Sequence, residues 1–340
     1  MRTFSRSQKG MTLVELMIAL VLGLVVTSAV IEIFIGSKQM YRVQDARARL
    51  QENGRFAIQF LSNNIRNAGY NGCATRGGSV PITNTLNNSG DFLWDFATGI
   101  QGFDATASAA IWSPAIVADI TSPLSGSDVL TIRTMNEPVI RVTAHPGGTP
   151  PGSAAIQVNT QNQLERFDIV MVTDCLTSAI FQITSANPNT SGSVTHNTGV
   201  GAPGNATQAL GKDYTGAEIV KLTTKSFYIR NNADGVPSLY QRISNDTAVE
   251  LVEGIENMQI LYGVDTDNDD AVDQYITAAT VTNWDNVVSV RVSLLLRTLA
   301  DNLVVGGAQT YSFNGVAITA ADNRLRAVFS RTISLRNRVP

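Results

Sequence analysis

The sequence predicts an α+β fold: one long N-terminal helix whose second half packs on a C-terminal, mainly antiparallel β-sheet. Three observations carry that expectation. An apolar run from Met11 to Ile31 holds a single carboxylate, Glu15. Behind it, the stretch from Lys38 to Tyr70 spaces its apolar residues as a helix does. From Ser127 onward, apolar and polar residues alternate, the period of strands with one buried face.

The first element reads as a membrane span. About 20 apolar residues match the ~30 Å hydrocarbon core of a bilayer. Arg2, Arg6 and Lys9 all precede the run, so that flank should stay cytoplasmic and the rest of the chain should lie on the far side. Glu15 is the anomaly, because a carboxylate inside a membrane helix costs ~3 kcal/mol and needs a partner. No basic residue lies between Met11 and Phe34. If the chain is cut after Gly10, the new α-amine of Met11 sits one turn from Glu15, and in a packed neighbour it can meet the neighbour's Glu15. A conventional secretory signal is not expected, since its cleavage site follows a shorter apolar core, whereas Gly10 precedes this one.

The helix is expected to continue well past the membrane. Leu50, Phe56, Phe60, Leu61, Ile65 and Ala68 fall at helical spacings, with Arg42, Arg47, Arg49, Arg55 and Arg66 between them. Gly54 should weaken the helix by ~1 kcal/mol relative to Ala. Gly69 and Asn71-Gly72 should end it, giving a rod of ~90 Å at 1.5 Å per residue. The stretch 73–126 reads as a loop-rich connection with Trp94, Phe96 and Trp112 as anchors. Strands are expected at 127–134, 138–144, 154–160, 168–173 and 179–185, and an exposed loop at 187–212. A hairpin is expected from 218–230 and 238–243 around Asn232-Ala233-Asp234-Gly235. The clearest strands are 286–298 and 324–335, with Arg331 the one charge on the apolar face of the second. An amphipathic helix needs an apolar surface, and a one-sided sheet supplies it.

Composition argues for a folded chain: 44% of the 340 residues are hydrophobic and 16% charged. The net charge of −3 falls by three more when Arg2, Arg6 and Lys9 are removed, so nothing general favours nucleic acid. Arg324, Arg326, Arg336 and Arg338 share one strand face and could contact phosphates; a solvated face, or ion pairs to an acidic turn, is the plainer alternative. No catalytic motif or zinc spacing is present, and no enzyme activity is expected. The GxGxxG at 199–204 lacks the strand and helix that a dinucleotide site requires. His145 and His196 are expected on surface loops.

Cys73 and Cys175 are the two cysteines. In an exported domain they should form a disulfide closing a loop of ~100 residues, worth up to ~4.7 kcal/mol on the chain-entropy model. Two buried thiols are the alternative. Asp265, Asp267, Asp269 and Asp273 stand at positions 1, 3, 5 and 9 of an acidic turn, where alternate carboxylates can converge on Ca²⁺. Asp270 replaces the usual glycine and Ile276 the usual bidentate glutamate, so a full EF-hand is not expected. A short Ca²⁺ turn and a solvated acidic hairpin turn both remain open.

Lys9-Gly10 followed by Met11-Thr12-Leu13-Val14-Glu15-Leu16 resembles the class III leader of type IV prepilins and pseudopilins. The resemblance implies that prepilin peptidase cuts between Gly10 and Met11 and N-methylates Met11, and that Glu15 then supports filament assembly. Met11 stands where major pilins usually carry Phe, a departure that minor pilins tolerate. Three further patches, 64–73, 249–267 and 329–337, are similar to the large minor pilins of the PilW family, and favour it over a pseudopilin of type II secretion. This likeness implies a type IV pilin fold with a leader at 1–10, a helix at 11–70 (11–34 in the membrane) and a periplasmic β-rich domain at 71–340. It also implies a single-pass inner-membrane protein that later joins the pilus. Its partners would be other minor pilins, the major pilin, prepilin peptidase, the inner-membrane assembly platform and a tip adhesin. The implied role is priming pilus assembly in support of twitching motility, adhesion or DNA uptake. The alternatives are an exported tip adhesin, a DNA-binding module, or a minor pseudopilin of type II secretion.

Overall fold

The computed structural model describes residues 10–70, 72, 80–106, 110–304 and 307–338. Helix α1 spans Leu13–Arg66, 54 residues or about 80 Å at 1.5 Å per residue. It is long and apolar enough at its start to cross a membrane. From Leu13 to Ile35 every large apolar side chain is exposed. Burial starts at Leu50 and recurs at Gly54, Ala57, Ile58, Leu61, Ser62 and Ile65. Those spacings set one helix face on the protein. Phe56, expected in the stripe, stays exposed.

Gly54 has the opposite meaning from the one expected. A Cβ there would overlap the ring of Phe329, so the missing side chain is what lets the helix approach the sheet. Close approach offsets the weaker helix propensity.

The strands follow in order. First come β1 (Ile82–Asn84), β2 (Ile100–Ala105), β3 (Trp112–Ser113) and β4 (Val129–Ala144). Next are β5 (Ile156–Val158), β6 (Ile169–Thr173) and β7 (Ser178–Gln182), a short helix α2 (Pro188–Ser191) and β8 (Ser193–Val194). β9 (Glu218–Asn231), β10 (Pro237–Ile243) and β11 (Val249–Glu253) lead to β12 (Ile255–Val264) and β13 (Gln274–Ile276). β14 (Val287–Arg297), β15 (Thr310–Phe313), β16 (Val316–Thr319) and β17 (Arg326–Ser334) complete the chain.

These strands make a large sheet, in the order β1-β7-β6-β9-β4-β2-β3 with β10, β11, β5 and β8 attached, and a four-stranded sheet, β13-β12-β14-β17. Pairing is antiparallel except between β1 and β7. The chain passes between the sheets at Gly254, whose φ of +80° is a left-handed conformation and where a Cβ would meet the Arg297 carbonyl. α1 lies along β17 and β14. One core joins Leu61 and Ile65 of the helix to Val292 and Leu294 of β14 and to Ile132 and Phe227 of the large sheet.

Three expectations need correction. The stretch 73–126 is not only loop, because β1–β3 add to the large sheet and Phe96 and Trp112 are buried. Strands of two to six residues carry too little alternation to be read from sequence. The segments at 127–134 and 138–144 form the single strand β4, whose pairing with β9 slips between Asn136 and Ile140, where Pro138 has no N–H to donate. The stretch 187–212 is not an exposed loop either. It holds α2 and β8 and buries Val194, His196, Asn205 and Leu210.

Polar groups lock the packing. Asp128 ties the two sheets: its N–H donates to Met258 O at 2.9 Å, while its carboxyl accepts from Ala105 N and Ile260 N at 2.8 Å each. Burial pushes this carboxyl up to about 7 despite those two bonds. The helix end, which has no intrahelical partners for its last carbonyls, is held from two sides. Arg66 O accepts from Arg336 N at 3.0 Å and Gly69 N donates to Arg133 O at 2.7 Å. Asn337 Nδ2 donates to Gly69 O at 2.7 Å.

Candidate functional site

The start of α1 is built by a capping box. Thr12 is the N-cap, and its hydroxyl accepts from Glu15 N at 3.3 Å. The Glu15 carboxylate reaches back to accept from Thr12 N at 2.9 Å and Thr12 Oγ1 at 3.0 Å. Two donors left over at the helix start are thereby satisfied, and a negative group stands at the positive end of the helix dipole. Glu15 therefore has a local structural reason to occupy the first turn, alongside any pairing with a neighbour. Its sequence signal is Thr-x-x-Glu before an apolar run. Gly10, Met11 and Glu15 are all exposed. No ion pair to Glu15 forms among the described residues.

Arrangement and sequence then meet known families. Residues 5–31 match the prokaryotic N-terminal methylation motif, and residues 226–337 match PilW, the type IV pilus-assembly protein W. The two matches support a PilW-type pilin. The second match runs from the end of β9 through β17, so it contains the four-stranded sheet on which α1 docks. Both families are structural parts of pili rather than enzymes. No curated protein and no solved structure matches this chain.

The acidic turn joins β12 to β13, which pair from Tyr262↔Ile276 to Val264↔Gln274. Ligand oxygens of Asp265, Asp267 and Asp269 lie within 4.8 Å of one another. Asp265 is buried and its carboxylate accepts from Asn268 N at 2.7 Å and Asp270 N at 3.1 Å. Asp267 and Asp269 are exposed, and repulsion from Asp269 raises the Asp267 carboxyl above its ordinary value. Asp270, at the position where calcium loops place glycine, has a φ of +65°. Asp273 does not join the three. Its Oδ2 accepts from Thr266 N at 2.7 Å and Thr266 Oγ1 at 2.5 Å, and the Thr266 hydroxyl bond lowers its carboxyl. The structure thus reduces the four-carboxylate set to three.

The C-terminal arginines do not form an open stripe. Arg326 is buried against Glu256 at 2.7 Å and Asp322 at 2.6 Å. Arg338 is buried beside Asp285 at 3.3 Å and the Val287 carbonyl at 3.2 Å. Arg324 donates to Thr298 O at 3.0 Å. Guanidinium groups held by carboxylates and carbonyls are spent on packing, and of the four only Arg336 stays exposed, which weakens the phosphate-contact reading. None of these partners belongs to the acidic turn.

The histidines are also corrected. His145 and His196 are buried, with both Nε2 atoms on Ala154 O at 3.2 and 3.0 Å. Burial holds both below the usual imidazole range. Cys175 sits on the turn after β6 with a φ of +67°, and Cys73 lies outside the described residues.

Proposed function

We propose that this minor pilin primes type IV pilus assembly. Prepilin peptidase would cut between Gly10 and Met11 and N-methylate Met11. The single span of 11–34 would sit in the inner membrane with the β-rich domain in the periplasm, until the chain joins other minor pilins and the major pilin on the assembly platform. The supporting observation is the division of α1: an apolar half left exposed among the described residues and a second half docked on the region that matches PilW. A bare half of that kind supports helix-to-helix packing in a filament. Once cleavage frees the Met11 amine, Glu15 can exchange its bonds to Thr12 for an ion pair with the amine of an adjacent subunit.

The test is genetic. Deleting the gene should remove surface pili and leave enzyme secretion intact. Normal piliation with lost secretion would favour the pseudopilin alternative. Twitching motility, adhesion and DNA uptake should fall together with the pili, whereas loss of adhesion alone on piliated cells would favour a tip adhesin.

Two finer proposals accompany this one. The Cys73–Cys175 bridge would clamp the start of the β-rich domain to the turn after β6; free thiols in non-reducing mass spectrometry of exported protein would sink it. Ca²⁺ would be held by Asp265, Asp267 and Asp269, the crowding of three carboxylates being the feature that favours it. Titration calorimetry should show binding that EGTA abolishes, and silence at millimolar Ca²⁺ would remove the idea.

A further inference from the structure

β17 is the last strand of its sheet, and backbone hydrogen bonds define which of its groups face outward. Leu325 O accepts from Thr298 N, and Leu335 N donates to Val288 O, both on the β14 side. Odd-numbered residues of β17 therefore turn their backbone groups inward, and even-numbered ones turn theirs outward. The outward row is satisfied at its two ends only. At the first, the Gln309 carboxamide accepts from Arg326 N at 2.6 Å and donates to Arg326 O at 3.0 Å. At the second, Arg336 N donates to Arg66 O at 3.0 Å. Between them, the outward N–H and C=O groups of Val328, Ser330, Thr332 and Ser334 have no partner among the described residues, and all four residues are exposed.

The edge is also regular. β17 pairs with β14 over nine residues without a slip. It contains no proline and no bulge, two of the devices by which proteins blunt a free edge. Beside it runs a groove of about 530 Å³ between Arg55, Phe56 and Gln59 of α1 and 329–331 of β17. Phe56 is 53% exposed on its wall.

We infer that this edge accepts an extended strand from another polypeptide, with an apolar residue and a carboxylate on the face turned toward α1. Strand addition satisfies the four unpartnered backbone positions, while the groove selects side chains, the usual division of labour in β-augmentation. An apolar side chain covers Phe56 and Phe329. A carboxylate answers Arg55 and Arg331, since no carboxylate lines this groove among the described residues and Arg331 Nη1 donates there to the neutral Gln59 Oε1 at 3.1 Å; Arg291 adds a third guanidinium at Thr332 on the other face, Nε to Oγ1 at 3.3 Å. The same arginines disfavour a second copy of this chain: the antiparallel register that would pair all four open positions of two β17 edges sets Arg331 against Arg331. Arg331 thus acts as a guard against self-pairing and a selector of acidic partners.

The test uses the full chain in detergent and two labelled peptides. One is Thr-Val-Thr-Glu-Thr-Val-Thr-Glu-Thr, and the other has lysine in place of glutamate. Fluorescence anisotropy should show the glutamate peptide binding about tenfold or more tighter than the lysine peptide. Arg331→Glu should invert that preference. Ser330→Pro, which removes one outward N–H at a position where an edge strand tolerates proline, should abolish binding with unchanged circular dichroism. Binding that survives Ser330→Pro, no binding of the glutamate peptide at millimolar concentration, or self-association of the chain that Ser330→Pro removes would each overturn the inference. The assay reads no pilus phenotype, so its failure leaves the assembly proposal standing.

Discussion

Leu13–Ile35 and Leu50–Ile65 belong to one uninterrupted helix, yet they meet opposite surroundings. The first stretch shows its apolar side chains on all sides; the second shows one stripe and buries it. Glycine marks the contrast. Gly23 and Gly36 have nothing within 4 Å of an added Cβ, while Gly54 has the Phe329 ring in its place. The first half is therefore shaped for surroundings outside the chain, lipid or neighbouring helices, and the second for the chain's own sheet. An exposed apolar surface of that extent marks a membrane or protein contact.

The contrast can be broken most directly by truncation. Leu61→Ala should lower the stability of the β-rich domain by about 3 kcal/mol, as core leucines do, whereas Leu20→Ala should change it by less than about 0.5 kcal/mol. Urea denaturation of the detergent-solubilised chain, followed by tryptophan fluorescence, reads both. Similar losses from the two variants would mean that the first half packs on the domain after all. The glycine pair is a sharper and smaller test. Gly54→Ala should destabilise by about 1–2 kcal/mol through overpacking on Phe329, and Gly36→Ala should be neutral or stabilise by up to ~1 kcal/mol through helix propensity.

Acid should weaken the β-rich domain through Asp322. The side-chain hydrogen bond from Arg326 holds the Asp322 carboxyl below its ordinary value. A carboxyl with a lowered folded-state pKa contributes stability that is present above its unfolded pKa, near 4, and lost as pH falls through the folded value. Asp322→Asn should thus lower stability by about 1 kcal/mol at pH 7 and by progressively less below pH 4.

Long periodic segments are the legible part of this fold. α1, the β9–β10 hairpin, β14 and β17 each run long enough for spacing to fix which face is buried. Distant partners decide the rest. Nothing local marks Asp128 as the tie between two sheets, because Ala105 and Ile260 lie far away in sequence. Gly54 reads as a weakness in the helix until Phe329 stands beside it. His145 and His196 read as surface residues because their flanking glycines and prolines mask a core that other strands complete. At the candidate site the leader motif is plain, whereas the Thr12–Glu15 box is easily overlooked in favour of a pairing that needs a second chain.

That pairing is the centre of the account, and one measurement bears on it most directly. In cells expressing the other pilins, Glu15→Ala should leave cleavage after Gly10 intact, seen as a mature-sized band, and should strongly reduce the amount of this pilin recovered with sheared pili. Wild-type recovery of the cleaved Glu15→Ala chain would contradict the account and leave Glu15 as a helix cap alone.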